Sequence, residues 1–497
     1  MSAIVATADP TTGTVLLSFN QIEARDQFTR VVAGGWGVAT TGETWTTSGS
    51  IAGDYSVNGT QGLYSMTSLA VSRNTILGSA VTGNDMDSTI SITIPVVPTG
   101  GNFTITHGVR GVTPTNQYMI TAVFQPGGVV TAQLQKIVLG VTSNVSTAVT
   151  SAAPHTAGNA WTLRIAVCGS QLKGKVWRNS FGEPDWMVTG NDFDLVTGQN
   201  VLCRASFGSS VTNVLPITLT WDNLRTGISQ PVRLWRVTPD GVRTELRGSP
   251  MNTDEVTTTS TSGAAIAWDN EAPFDVDVFY ELTSNCSTVV YATSNTIILS
   301  SGRDGWLRDP VDPTRNIRIV MNEFFDECVD QDVVVYSGMD TKTYANSAGI
   351  YDVVDDRRPI TISQTRKNYG SVLRLTSFSL DDIDVLEDIF DPNRILLLSL
   401  PMSYGWAHRS FGTDYVTFYD VDQNFLGVDQ EVTARAWTAP FRLSYAPPDL
   451  PGGTGGNGIG GGGATYDDLA ASVIGTTYNS LTAAGFTYFQ IAAGTGY

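Results

Sequence analysis

Six of the 11 tryptophans in this 497-residue sequence lie between residues 36 and 221, and they are the side chains whose type and setting suggest chemistry. Trp161 and Trp221 continue the apolar alternation of "WTLRIAV" (161–167) and "ITLTW" (217–221), which assigns them to a core. Trp36, Trp45, Trp177 and Trp186 sit instead among glycine, threonine and polar residues. An exposed indole face there can stack on the C–H groups of a sugar ring, so these four are the candidate glycan-binding residues. Equally, each can bury its ring under a loop and satisfy its N–H locally. The sequence leaves both readings open.

Bond-making chemistry finds less support. The three histidines are His107, His155 and His408. His107 continues the Phe103, Ile105 face of a strand, and no GxSxG elbow, HExxH, phosphate loop or dinucleotide fingerprint accompanies any of them. A glycan-cleaving jelly roll needs two carboxyls facing one bond. The N-terminal region offers only Glu23, Glu43 and Glu183 as glutamates, and "GEPDW" (182–186) places a proline between Glu183 and Asp185. No catalytic residue and no enzymatic activity is therefore expected. A jelly-roll glycoside hydrolase built around Glu183 is the alternative. Asp54, Asp85 and Asp87 could supply loop oxygens to calcium but lack ligand spacing, so no metal and no cofactor is expected. Cysteines 168, 203, 286 and 328 form no CxxC pair. Buried free thiols are expected, with a Cys168–Cys203 disulfide as the alternative.

Charged residues make up only 15% of the chain and the net charge is −18. Such a balance argues against nucleic acid and against docking on anionic lipid, both of which need clustered Lys and Arg. No apolar run reaches the length of a membrane span. "MSAIVATADPTTG" has neither a basic n-region nor an apolar core, so synthesis in the cytoplasm without a Sec signal is expected.

Abundant Thr, Ser, Val and 50 glycines favour strands and turns, which predicts a mainly β, multidomain protein. Residues 14–228 read as one series of short strands, such as "STISITI" (88–94), separated by glycine-bearing turns, which predicts a β-sandwich or jelly roll. Residues 229–299 read as a fibronectin- or immunoglobulin-like sandwich, with "TPDG" as a hairpin turn. Residues 300–446 read as an α+β or mostly β domain. Its helix lies in "SFSLDDIDVLEDIFDPN" (377–393), with Ser379 as cap and Pro392 as stop. Residues 447–463 hold nine glycines and three prolines, a flexible linker, and 464–497 repeat T-Y-x-x-L three times with small variations.

Several strings carry a resemblance. "FTRVVAGGWGVATTGETWTTSG", "KGKVWRNSFGEPDWMVTGNDFD" and "LTWDNLRTG" resemble the concanavalin-like domain of minor tail proteins from long-tailed phages of actinobacteria. "RLWRVTPDGVRTELRG", "WDNEAPFDVDVFYEL" and "GWLRDPVDPTRNIRI" are similar to the domains that follow it there. "DDRRPITIS" and the strand–helix–strand run after it are similar to the tail-tip domain, and the glycine linker and repeats to the C-terminal ends. The resemblance implies a structural protein of the virion tail, assembled in the host cytoplasm. It further implies a homo-oligomer (a trimer or ring), other tail-tip proteins as partners, and host cell-wall glycan as the target of the lectin-like domain.

Overall fold

A computed structural model describes residues 3–20, 22–229, 231–249, 264–286, 288–302, 304–321, 334–339, 343–344, 348–351, 360–363, 369–390, 394–400, 413–426 and 434–444. The linker 447–463, the repeats 464–497 and His408 lie outside the described residues. The described chain is mainly β, and its single α-helix is Leu380–Ile389. No described helix is long and apolar enough to cross a membrane.

Residues 22–228 form a head of two facing sheets. One runs Val188–Asn191, Gln171–Arg178, Asn159–Cys168, Met86–Ile94, Ile217–Ile228, Gly62–Met66, Tyr55–Asn58 and Val31–Ala33, with Ile22–Asp26 added beside Ile217–Ile228. The other runs Val141–Asn144, Val130–Val138, Asn116–Phe124, Phe103–Thr113, Asn200–Phe207, Arg73–Leu77 and Trp45–Ser48, with Val149–Thr150 against Val130–Val138. Side chains two apart share a face of a strand. Ile90, Ile92, Ile94, Trp161, Leu163, Ile165, Leu219 and Trp221 therefore meet Phe103, Ile105, Ile120, Phe124, Leu134 and Phe207 in one buried layer. Each such side chain contributes roughly 1.5–3 kcal/mol of transfer free energy.

The second sandwich is assembled from both sides of the head. Thr14–Asn20, grouped by sequence with the head, is instead the middle strand between Ala3–Asp9 and Ala264–Asp269. Val15, Leu17 and Phe19 alternate toward a core that Leu234, Val278, Tyr280 and Leu282 complete from the facing sheet. That sheet runs Arg243–Glu245, Val232–Val237, Asp277–Ser284 and Val290–Thr293, with Ile297–Ile298 paired to Asp277–Ser284. Asn295 pins the outer strand by accepting from Ala6 N and donating to Ala6 O, each at 3.1 Å. The head is thus an insertion in this sandwich. Its correction of the boundary at residue 14 has a plain cause: the apolar face of Thr14–Asn20 matches the second core, and alternation alone names no partner.

The third unit closes on itself. Tyr369–Ser377, Val334–Met339, Ile317–Met321, Gly305–Arg308, Leu396–Ser399, Thr413–Phe418 and Arg435–Leu443 follow one another, and the last pairs with the first. Ser379 caps the helix by accepting from Asp382 N at 3.1 Å, and Ile383, Leu386 and Ile389 pack into the barrel's apolar cluster.

Removing residues 1–20 takes two strands from the second sandwich and none from the head. Hydrogen exchange of the truncated chain is expected to show lost protection across 232–237 and 277–284 with 86–94 and 159–168 unchanged. Equal loss in both would contradict the insertion.

Candidate functional site

The structure separates the four candidate tryptophans. Trp36 and Trp45 are 0% and 4% exposed, in the core beneath the edge of the head. Trp36 stacks on Tyr64 at 4.9 Å between centroids and meets Phe28 and Trp45 edge-on at 5.2 and 4.9 Å. Gly62 lies so close that a Cβ there would fall 2.8 Å from Phe28 and 3.0 Å from Trp36. Both indole N–H groups are satisfied, Trp36 donating to Leu63 O at 3.2 Å and Trp45 to Asp26 Oδ2 at 2.7 Å. Asp26 also accepts from Phe28 N at 2.9 Å and from both terminal nitrogens of Arg30 at 2.7 and 2.8 Å. A stacking platform at Trp36 and Trp45 is therefore corrected to a buried aromatic box fastened by one carboxylate.

Trp177 and Trp186 come together on the outer face of the nine-stranded sheet. Antiparallel register lines up Trp177, Thr162, Ser91 and Asp222 as successive cross-strand neighbours, a row about 14 Å long at the usual strand spacing. The next row is Lys175, Arg164, Thr89 and Arg225. Ser91 and Thr162 share a 2.8 Å hydrogen bond, and Thr162 donates to Asn179 at 2.7 Å. Trp177 is only 6% exposed, so, like Trp36 and Trp45, it is corrected from a stacking platform to a buried ring. Trp186 is half-buried, with Lys175 Nζ 4.6 Å and the Arg164 guanidinium 5.2 Å from its ring centroid. Phe181, on the same loop, is 65% exposed and carries the Arg178 guanidinium 5.1 Å from its ring.

The loop is held down by charge. Arg164 donates to Asp87 at 2.7 and 3.0 Å and to Glu183 at 2.6 Å, while Lys175 reaches Glu183 at 2.8 Å and Pro184 O at 2.8 Å. Burial would raise the Glu183 pKa, but hydrogen bonds and charge from Lys175 and Arg164 outweigh it and hold the carboxyl below its ordinary range. On the same face Asp222 is shifted the other way, by burial and by the charge of Asp26, against a hydrogen bond from Asn223 N. Sequence reasoning missed Asp222, Ser91, Thr162, Arg164, Lys175 and Phe181. For Ser91, Thr162 and Arg164 the signal was present in the outward half of the alternations already used for the core.

The opposite outer face carries Gln133, Thr121, Thr106, Arg204, Asn74 and Ser48 as cross-strand neighbours. That row offers hydrogen bonds without an aromatic ring, so the Trp186 face is the better fit to a sugar.

Other candidates have structural partners. Asp54, Asp85 and Asp87 pair with Arg73, Arg110 and Arg164 at 2.9, 3.1 and 2.7 Å, which replaces a shared calcium site by three separate ion pairs. Among the described residues no cluster of His, Cys, Asp and Glu is placed to hold a metal. His155 accepts from Trp161 Nε1 at 3.1 Å and bonds Val96 O at 3.0 Å. His107 bonds Leu202 O at 3.1 Å and Ser88 Oγ at 2.8 Å. Cys168 pairs with Cys286, not with Cys203, which stays buried and free.

No family model matches the chain, and no curated protein matches it. Solved structures do. The carbohydrate-binding module CBM66 from Bacillus subtilis is 17% identical over 37% of this chain and 94% of its own, with a TM-score of 0.25. A Bacillus licheniformis β-glucanase is 13% identical over 41% and 96%, TM-score 0.30. SCLam, a non-specific endo-β-1,3(4)-glucanase of family GH16, is 11% identical over 42% and 91%, TM-score 0.31. At these identities and TM-scores the likenesses assign no ligand or reaction to this chain. They do include glycan hydrolases, so the expectation that the chain is not an enzyme is withdrawn.

Two measurements test the interior of the head. Asp26→Ala leaves the Trp45 N–H without its acceptor and Arg30 with only the Trp36 carbonyl, and a loss of about 3 kcal/mol is expected in denaturant unfolding followed by tryptophan fluorescence. Burial, opposed by the Leu202 carbonyl, lowers the His107 pKa from 6.5 to about 4. Between those values the unfolded chain takes up a proton that the folded head refuses. This contribution is complete above pH 6.5 and is lost as pH falls toward 4. The loss is about 3 kcal/mol. His107→Gln is expected to flatten the fall in stability between pH 7 and 4.5, and an unchanged slope would exclude His107 as its source.

Proposed function

We propose that this chain is a structural protein of a phage tail tip whose inserted head contacts saccharide on the host cell surface. The Trp186 face carries the proposal: an aromatic ring fixed by two cations beside a row of hydroxyl and carboxylate side chains. Rings bind the C–H side of a sugar, and polar groups placed beside them fix its orientation. A prearranged ring loses little freedom on binding, which favours affinity. Support for the tail assignment comes from the ordered resemblance of the residue strings along the chain. It carries with it a homo-oligomer, a trimer or ring, contacts with other tail-tip proteins, and a place on the virion. The target is host cell-wall glycan.

One observation favours a second reading, cleavage of that glycan. Glu183 lies on the Trp186 face, where Arg164 and Lys175 hold its carboxyl below its ordinary range, so it is the carboxylate such a reaction would use.

The test is binding of the full chain to purified actinobacterial cell-wall polysaccharide, beside Trp186→Ala and Phe181→Ala. Saturable binding weakened about tenfold or more by Trp186→Ala, with the fold intact, is the expected result. Release of reducing ends, abolished by Glu183→Gln, would establish the cleaving reading. No binding by the oligomeric chain would reduce the head to a spacer.

A further inference from the structure

The head meets the second sandwich at two kinds of connection. Its entering and leaving strands lie side by side, with Ile22 opposite Gly227, so the chain crosses in and out along one line. Two adjacent crossings fix a position but leave rotation about that line. The third connection stands away from it. Cys168 ends a strand that lies two places from Ile217–Ile228, beyond Met86–Ile94, roughly 10 Å from the crossings. Its partner Cys286 follows Asp277–Ser284 of the second sandwich, with a Cα–Cα distance of 5.4 Å.

Around this bridge the contact is polar. Asp85 is buried and accepts from Arg110 at 3.1 Å and Gly169 N at 2.7 Å, both in the head, and from Ser284 Oγ at 2.6 Å across the junction. Asp85 N donates to the Tyr291 hydroxyl at 3.0 Å, and the Tyr291 ring fills the space where a Cβ on Gly83 would lie. These hydrogen bonds can be exchanged for water when the surfaces part, whereas the covalent bridge cannot.

We propose that Cys168–Cys286 is a redox-closed brace that fixes the angle of the head on the second sandwich and is open under reducing conditions. Cys286 is exposed and Cys168 half-buried, so the bridge is open to thiol exchange. Closure proceeds with a small-molecule disulfide as oxidant. The Cys286 thiolate attacks it, forming a mixed disulfide and releasing one thiol. The Cys168 thiolate then displaces the second. The two cysteines lose two electrons, and the released thiols carry both protons away. Cys203 does not compete, because it is wholly buried and burial pushes its thiol pKa well up.

Hydrogen exchange of the full chain, in oxidised glutathione and in a phosphine reductant, tests the brace. Reduction is expected to speed exchange of the Asp85 amide, which reports the contact with Tyr291, on the order of tenfold. Core amides of Ile90, Ile165 and Leu282 should keep their protection. Cys286→Ser should behave as reduced in both buffers, and Ser284→Ala should add to its effect. Equal Asp85 exchange in the two buffers overturns the proposal. Alkylation of both cysteines in the folded, oxidised protein overturns it too. So does loss of core protection on reduction, which would make the bridge a general stabiliser of the fold.

Discussion

Much of this molecule follows from one long-range pairing, Thr14–Asn20 with Ala264–Asp269. The strand Thr14–Asn20 carries Val15, Leu17 and Phe19 on one face, and it has to find a sheet whose chain is made only after the whole head. For a flexible chain the entropy of closing such a loop grows only slowly with length. Here the folded head does most of the work, because Ile22 and Gly227 are already neighbours in its sheet. The ends of the insertion therefore arrive together, and the second sandwich closes over a short gap. A head already folded therefore lowers the entropy cost of closing the sandwich that frames it.

The junction combines apolar and polar contact. The core cluster runs from the head into the second sandwich, and the polar surface buried beside it needs partners. Asp85, Ser284 and Tyr291 satisfy it with directional bonds, and the disulfide adds a constraint that conditions can impose later. Arg308 serves the next boundary in like manner. Though fully buried, it donates to Gly13 O and Ala272 O at 3.0 and 2.9 Å and to Ser399 Oγ at 3.3 Å. One guanidinium thereby ties the N-terminal hairpin, the second sandwich and the barrel.

What the sequence revealed follows from what alternation can carry. Period two in "WTLRIAV" and "STISITI" identified inward residues correctly, since strand geometry fixes which side chains share a face. The capped helix at Ser379 was equally legible, because capping is local. Register and partner are not local. Nothing near Cys168 points to Cys286, and nothing in "TVLLSFN" points past the head. The tryptophans failed for a related reason. "AGGWG" and "GETWT" look like exposed loops by composition, yet Asp26 supplies the buried acceptor that lets Trp45 go inside, and the small Gly62 makes room for Trp36. Polar neighbours in sequence did not mean polar neighbours in space.

The Trp186 face shows what that constraint allows. Most of its charge is internally neutralised: Arg164 is shared by Asp87 and Glu183, and Lys175 joins Glu183. Such a network adds little net stability over an apolar layer of the same volume, but it is exacting in geometry. Its effect is to press the loop 179–187 onto the sheet and to hold one indole against two neighbouring cations. The Glu183 carboxyl is thereby held below its ordinary range, while burial raises that of Asp222 on the same face. A merely solvated sheet face needs no fixed ring. A face that grips a polyhydroxylated ring uses one, because the indole meets the sugar's apolar side while neighbouring donors and acceptors meet its hydroxyls.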